Sequence, residues 1–269
     1  MTSLRDMRAA VIDMDGVLWA GDSPLPGLIE FFAALRQRQI SFVLATNNAG
    51  RSPEQYLDKL AHMGVTVSVD EIFTSPQATA LVLAQRSPGG GRVFVIGEEA
   101  LKSALAAAGF TFCDLYQTGA DYVVVGIDHD LSWDKLATAT LNIRAGAVFV
   151  GTNPDVSLPT EHGITHGNGA ILAALQAATG IAPIVVGKPE PTMYQQALAR
   201  LKSDPASTLA IGDRLDTDIL GAVRAGLPSL LVLTGVSKRA DLANLAYQPT
   251  WVLDSIVQIT KELWGQLVH

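Results

Sequence analysis

Asp13 and Asp15 stand two residues apart where an apolar run ends, in "AAVIDMDGVLW" at residues 9–19. A run this apolar reads as a strand buried on both faces, where a carboxylate is costly unless it is paired or holds a cation. The two acids therefore belong at the strand's end, where the chain emerges and where open α/β sheets bind ligands. Three other apolar runs also end in polar groups. Thr46, Asn47 and Asn48 follow "SFVLA", Gly187-Lys188-Pro189 follows "PIVV", and Gly212-Asp213 follows "TLAI". These four strand ends can converge at the carboxyl edge of one parallel sheet.

The elements that would position them alternate along the whole chain. Strands are expected near 9–13, 41–46, 93–96, 122–126, 147–151, 183–187, 208–212, 229–233 and 250–253, with helical patterns such as "PEQYLDKLAHMG" and "TMYQQALARLK" between them. Gly64, Gly109, Gly146, Gly180 and Gly226 sit where helices close. This is an α/β chain with mainly parallel sheets. Between about 77 and 182 the strands end less consistently in polar groups, which marks an inserted second domain.

Hydrophobic residues make up 48% of the 269 and charged residues 17%, a globular composition. The net charge of −7 argues against a nucleic-acid polymer as partner but leaves room for a small anion in a local cationic pocket. Cys113 is the only cysteine, so no intramolecular disulfide forms. "MTSLRDMR" carries no apolar signal core, and no run of eighteen apolar residues occurs. A cytoplasmic protein without a membrane partner is expected.

Taken in order, "DMDGV", "ATNN", "GKP" and "GDRLDTD" resemble the four motifs of the haloacid-dehalogenase-like (HAD) phosphatases. "YVVVGIDHDLSWDKL", "FVGTNPD" and "HGNGAI" resemble the large α/β cap of the subgroup holding NagD-type nucleotidases and the p-nitrophenyl, phosphoglycolate and pyridoxal-phosphate phosphatases. The resemblance implies a Rossmann-like parallel-sheet core at 1–76 and 183–269 with a cap inserted at 77–182. It implies a Mg²⁺-dependent phosphomonoester hydrolase acting on small phosphorylated metabolites through an aspartyl-phosphate. Asp13 would be the nucleophile and Asp15 the proton carrier. Mg²⁺ would be held by the Asp13 and Asp213 side chains and the Asp15 backbone carbonyl. Lys188 would face the phosphoryl oxygens, and Thr46, Asn47 and Asn48 would donate to them. Asp218 would stand behind the metal or the lysine. Caps of this type can pair, which leaves a homodimer through the cap open.

Plainer readings exist for several of these residues. Asp218 could simply cap a helix, and Asn48 could close a turn. His162 and His166, in "EHGITHG", lack an evident third zinc ligand and fall in a loop. His166 stands where the family commonly has proline, and with Asp155 and Pro159 it belongs to cap loops whose specificity the sequence does not disclose. Trp19 is expected to line the site's entrance and Cys113 to be buried. The rival reactions are those of a dehalogenase or a phosphonatase, and both are disfavoured by Asp15. A phospho-aspartate receiver would be about half this length, and a binding protein without catalysis would not need every motif residue.

Overall fold

The structure, a computed structural model, describes residues 4–160 and 162–263. It divides into two compact units. The first holds residues 4–46, 53–73 and 188–263, and the second holds 47–52 and the described residues of 74–187.

Ala9–Ile12 is buried along its whole length, as an apolar run without polar interruption requires, and it lies inside the first unit's sheet. The order across that sheet is Trp251–Leu253, Ser229–Val232, Thr208–Gly212, Ala9–Ile12, Ser41–Thr46 and Ile72–Thr74. The register sets Ile12 beside Ile211 on one side and Leu44 on the other, both in parallel pairing. From Ala9–Ile12 the chain moves outward through Leu28–Gln37 to Ser41–Thr46, whereas from Thr208–Gly212 it moves the opposite way to Ser229–Val232. The boundary between these two central strands is the topological switch point, and their carboxyl ends are the ones that open a crevice. Phe31, Leu35 and Leu60 close one face of the sheet over Ile12, Leu44 and Leu230.

The second unit is built on a five-stranded parallel sheet ordered Ile184–Val185, Val148–Gly151, Tyr122–Val125, Gly91–Ile96 and Phe110–Phe112. Its core gathers Phe94, Ile96, Val123, Phe149, Leu172 and Leu175, and includes buried Cys113. Two of its helices open on side-chain caps. Thr74 accepts from the Gln77 amide while Gln77 bonds back to Thr74, and Ser132 accepts from the Lys135 amide. An antiparallel hairpin pairs Ser157–Thr160 with Gly163–His166.

Two corrections to the sequence reading follow. The run at 183–187 does not join the core sheet. Its paired part, Ile184–Val185, bonds to Val150 and Gly151 at the edge of the second unit's sheet. The division accordingly falls at 187/188 and 73/74, and residues 47–52 group with the second unit. Apolar runs of similar length look alike whichever sheet they join, because partner choice lies outside the segment itself. Among the described residues, no helix is long and apolar enough to cross a membrane.

Candidate active site

Asp13 takes the first position past Ile12, and its amide still donates to Ile211 O across the central pair (2.8 Å). Its side chain is 12% exposed and meets the ammonium of Lys188, which is 3% exposed. Lys188 Nζ donates to Asp13 Oδ1 at 2.5 Å, to Asp218 Oδ1 at 2.6 Å and to Ala45 O at 3.1 Å. Lys188 thus reaches the switch point not from a strand of this sheet but from the segment that leads into the helix Pro191–Leu201.

Asp213 stands at the matching position past Gly212. Its Oδ2 accepts from the Val236 amide at 2.7 Å, and its own carbonyl accepts from the Ser237 amide at 3.1 Å. Space for this carboxylate depends on glycine. A Cβ at Gly235 would lie 1.8 Å from Asp213 Oδ2, and one at Gly16 would lie 2.5 Å away. Gly16 also has φ +80°, a left-handed conformation that lets the chain turn directly after Asp15. Asp218 sits on one wide π-helical turn, Leu215–Ile219, a form frequent at functional sites. Its Oδ2 accepts from the Arg214 amide and its carbonyl accepts from the buried Tyr194 hydroxyl.

Asp13, Asp213 and Asp218 bring carboxylate oxygens within 4.8 Å of one another, the one such group among the described residues. The electrostatics follow from three buried acids facing one lysine. Burial, then the Asp218 charge, pushes the Asp213 carboxyl up to about 7. Burial also raises Asp13, with Asp218 and Asp213 adding to it and Lys188 opposing. Burial alone would lower Lys188, but Asp13 and Asp218 outweigh it and hold the ammonium charged. A single lysine balances one of three carboxylates. Burial disfavours the ionised form of the remaining acids, and a hard divalent cation, which takes oxygen donors, would hold them ionised.

Asp15 is exposed and outside this cluster. Its Oδ1 accepts from the indole Nε1 of Trp19 at 2.7 Å. Trp19 itself is fully buried, so it does not line an entrance as expected. It stacks on Tyr56, 6.2 Å between ring centroids, with the Lys59 ammonium 4.7 Å from the indole centroid. Apolar neighbours such as Val17 and Leu18, both 0% exposed, pull the indole into the core. Thr46 closes its strand, buried at 3%.

Asn47 and Asn48 belong to the second unit. Asn47 Nδ2 donates to Asp155 at 3.2 Å, and Asn47 O accepts from Ser75 Oγ and Asn153 Nδ2. Asn48 Oδ1 accepts from the Gly50 amide, the bond its turn reading requires. His162 lies in the turn of the exposed hairpin and His166 on its second strand, and neither belongs to a candidate metal cluster. Sequence reasoning missed the Thr234–Val236 segment that holds Gly16 and Asp213: Thr234 Oγ1 donates to Gly16 O at 2.6 Å. "TG" after the apolar run 229–233 was a signal of the same kind as the four strand ends that were recognised.

Residues 10–111 match the haloacid dehalogenase-like hydrolase family, and residues 185–259 match a HAD-hydrolase-like family. An acid sugar phosphatase of Staphylococcus saprophyticus is 36% identical over 97% of this chain and 99% of its own. Among solved structures, the 4-nitrophenylphosphatase of Thermotoga maritima superposes with a TM-score of 0.91 at 33% identity, covering 97% of this chain and 98% of that one. A glycerol phosphate phosphatase of Mycobacterium tuberculosis, in complex with magnesium, gives 0.89 at 38% identity over 98% of this chain and 80% of that one. The chain belongs to the HAD-like hydrolases, among the phosphatases of the NagD and p-nitrophenyl phosphatase subgroup.

Proposed function

We propose that the chain hydrolyses small phosphomonoesters in two displacements, through a phosphate carried on Asp13. The observation that carries this reading is Lys188 Nζ set between Asp13 and Asp218, inside a buried carboxylate cluster at the switch point. An acid placed there is shielded from water and aimed by one fixed cation, as a nucleophile must be. An oxygen of Asp13 attacks phosphorus, and the bond to the substrate's alcohol breaks with its electron pair. The departing oxygen takes its proton from Asp15, which stands directly before the turn at Gly16. Water then attacks phosphorus and gives its proton to Asp15. The bond from phosphorus to Asp13 breaks, freeing the carboxylate and inorganic phosphate.

Lys188 holds a compact charge against the transferring oxygens, and Thr46 supplies a hydrogen-bond donor to them. The all-oxygen donor set fits Mg²⁺, and Asp13 and Asp213 would hold it through their carboxylates and Asp15 through its carbonyl. Bound there, the metal supplies positive charge that lets a phosphate dianion approach two carboxylates. Asp218 is kept for Lys188 and the Arg214 amide, which occupy both its oxygens. Small phosphate esters as substrates agree with the relatives' range from sugar phosphate to glycerol phosphate and nitrophenyl phosphate.

The test is steady-state hydrolysis of p-nitrophenyl phosphate with Mg²⁺, before and after chelation, by the wild type and Asp13→Asn. The amide leaves the position filled but removes nucleophile and metal ligand together. Wild-type turnover that chelation stops and Mg²⁺ restores is expected, with none from Asp13→Asn at an unchanged melting temperature. Residual activity of that variant within tenfold of wild type would remove Asp13 from the mechanism.

A further inference from the structure

Asp15 differs from the other acids of the site in what holds it. Asp13, Asp213 and Asp218 are fixed by the lysine and by backbone amides, whereas one oxygen of Asp15 is fixed by an indole. Trp19 Nε1 donates to Asp15 Oδ1 at 2.7 Å, and the return leg of the same turn is closed by the Gly16 amide on Trp19 O at 2.8 Å. The indole has little freedom to release it. Trp19 is 0% exposed and stacked on Tyr56, and Lys59 lies over its face while donating to Gly21 O at 2.6 Å. A cation over the ring draws electron density from it, which strengthens the N–H as a donor. A tryptophan needed only for packing would leave this N–H to any acceptor; here it goes to the exposed carboxylate beside the cluster.

We propose that Trp19 is a positioning residue for Asp15. By holding Oδ1 it sets the carboxylate's rotamer, so that Oδ2 is the oxygen that gives the proton to the leaving alcohol and takes it back from water. The inference rests on the proton-carrier reading of Asp15. It assigns the buried tryptophan a part in leaving-group departure, at one remove from the substrate.

Trp19→Phe keeps a buried ring and deletes the donor. Replacement by benzothienylalanine, with sulfur in place of N–H, keeps the bicyclic shape and secures the experiment should the smaller ring unsettle the core. Each variant is assayed in single turnover, which isolates leaving-group release from the later attack of water, on p-nitrophenyl phosphate, whose phenolate leaves with little help, and on glycerol phosphate, whose alkoxide needs a proton. The expected result is a fall in the single-turnover rate of leaving-group release of about tenfold on glycerol phosphate and less than about threefold on p-nitrophenyl phosphate, with the substrate concentration for half-maximal rate little changed on both. In an Asp15→Asn background the same substitution should cost nothing further, because the residue it acts through is already disabled. Equal losses on the two substrates, no loss on either, or a loss that persists in the Asp15→Asn background would each overturn the inference. Asp15→Asn alone separates the two levels of argument. If it slows both substrates equally, the proton-carrier reading itself falls and takes this inference with it. If it is selective while the Trp19 variants are not, only the positioning role is lost.

Discussion

Gly235→Ala should disable the site without touching a residue that carries chemistry. The added methyl would fall 1.8 Å from Asp213 Oδ2 and 2.4 Å from Cγ, distances no real Cβ tolerates. Reaching an ordinary contact of 3.4 Å needs roughly 1.6 Å of movement, and a misplacement near 1 Å can cost about 10²-fold in rate. Either partner can yield. If the carboxylate moves, the proposed metal ligand leaves its place. If the 234–237 segment moves, the Val236 amide leaves Asp213 Oδ2 and a buried acid loses its donor. Both routes lower activity, so kcat on p-nitrophenyl phosphate at saturating Mg²⁺ should fall about a hundredfold. The Mg²⁺ concentration for half-maximal rate should rise as well. Overpacking costs about 1–3 kcal/mol, so the fold should survive with a melting temperature lower by several degrees. Activity within threefold of wild type at an unchanged Mg²⁺ requirement would refute the placement of Asp213 at the metal.

Lys188→Met should abolish turnover and also destabilise the chain by about 3–5 kcal/mol, because it leaves Asp13 and Asp218 buried without their cation. Adding Asp218→Asn should restore part of the melting temperature and none of the activity; a double variant less stable than the single one would contradict this charge balance. A separate prediction concerns Glu71, which burial alone would raise but which hydrogen bonds from Arg36 and Ser68 hold below the usual carboxylate value. A depressed carboxylate stabilises the fold above its unfolded pKa, and that stability is lost as pH falls through the folded one. Arg36 is half exposed, so Arg36→Gln should cost under about 1 kcal/mol near pH 7 by urea titration, and the difference from wild type should shrink below about pH 4. A gap that widens in acid would reverse the sign assigned to the pair.

Much of the fold was legible because its signals are local. All five glycines expected to close helices have positive φ, from 75° at Gly226 to 105° at Gly146. The buried strands 41–46 and 208–212 begin and end where the apolar runs do. Shorter elements escaped. Phe110–Phe112 has three residues, and in Ser157–Thr160 and Gly163–His166 the pairing rather than the composition makes the strand. In the site, Asp13, Lys188, Asp213 and Asp218 come together from three separate segments, and family resemblance had already grouped them. Sequence spacing does not reveal that Trp19 would turn inward and hold Asp15, since an indole beside an acidic turn can equally face solvent. The sheet that Ile184–Val185 joins was misread for a related reason: register and partner are properties of the folded pair.

The position of Ala9–Ile12 has a consequence for the chain while it is being made. One edge of this strand is covered by Ser41–Thr46, which follows almost at once, but the other waits for Thr208–Gly212, nearly two hundred residues later. At about 5–20 residues per second, a ribosome leaves that interval open for roughly 10–40 s. Throughout it, the bare hydrogen-bonding edge of Ala-Ala-Val-Ile is a template for any extended segment nearby, including the same strand on a neighbouring nascent chain. The late strand that supplies Asp213 is therefore also the piece that retires this hazard, and chains cut short before residue 208 should accumulate in aggregates rather than as folded fragments.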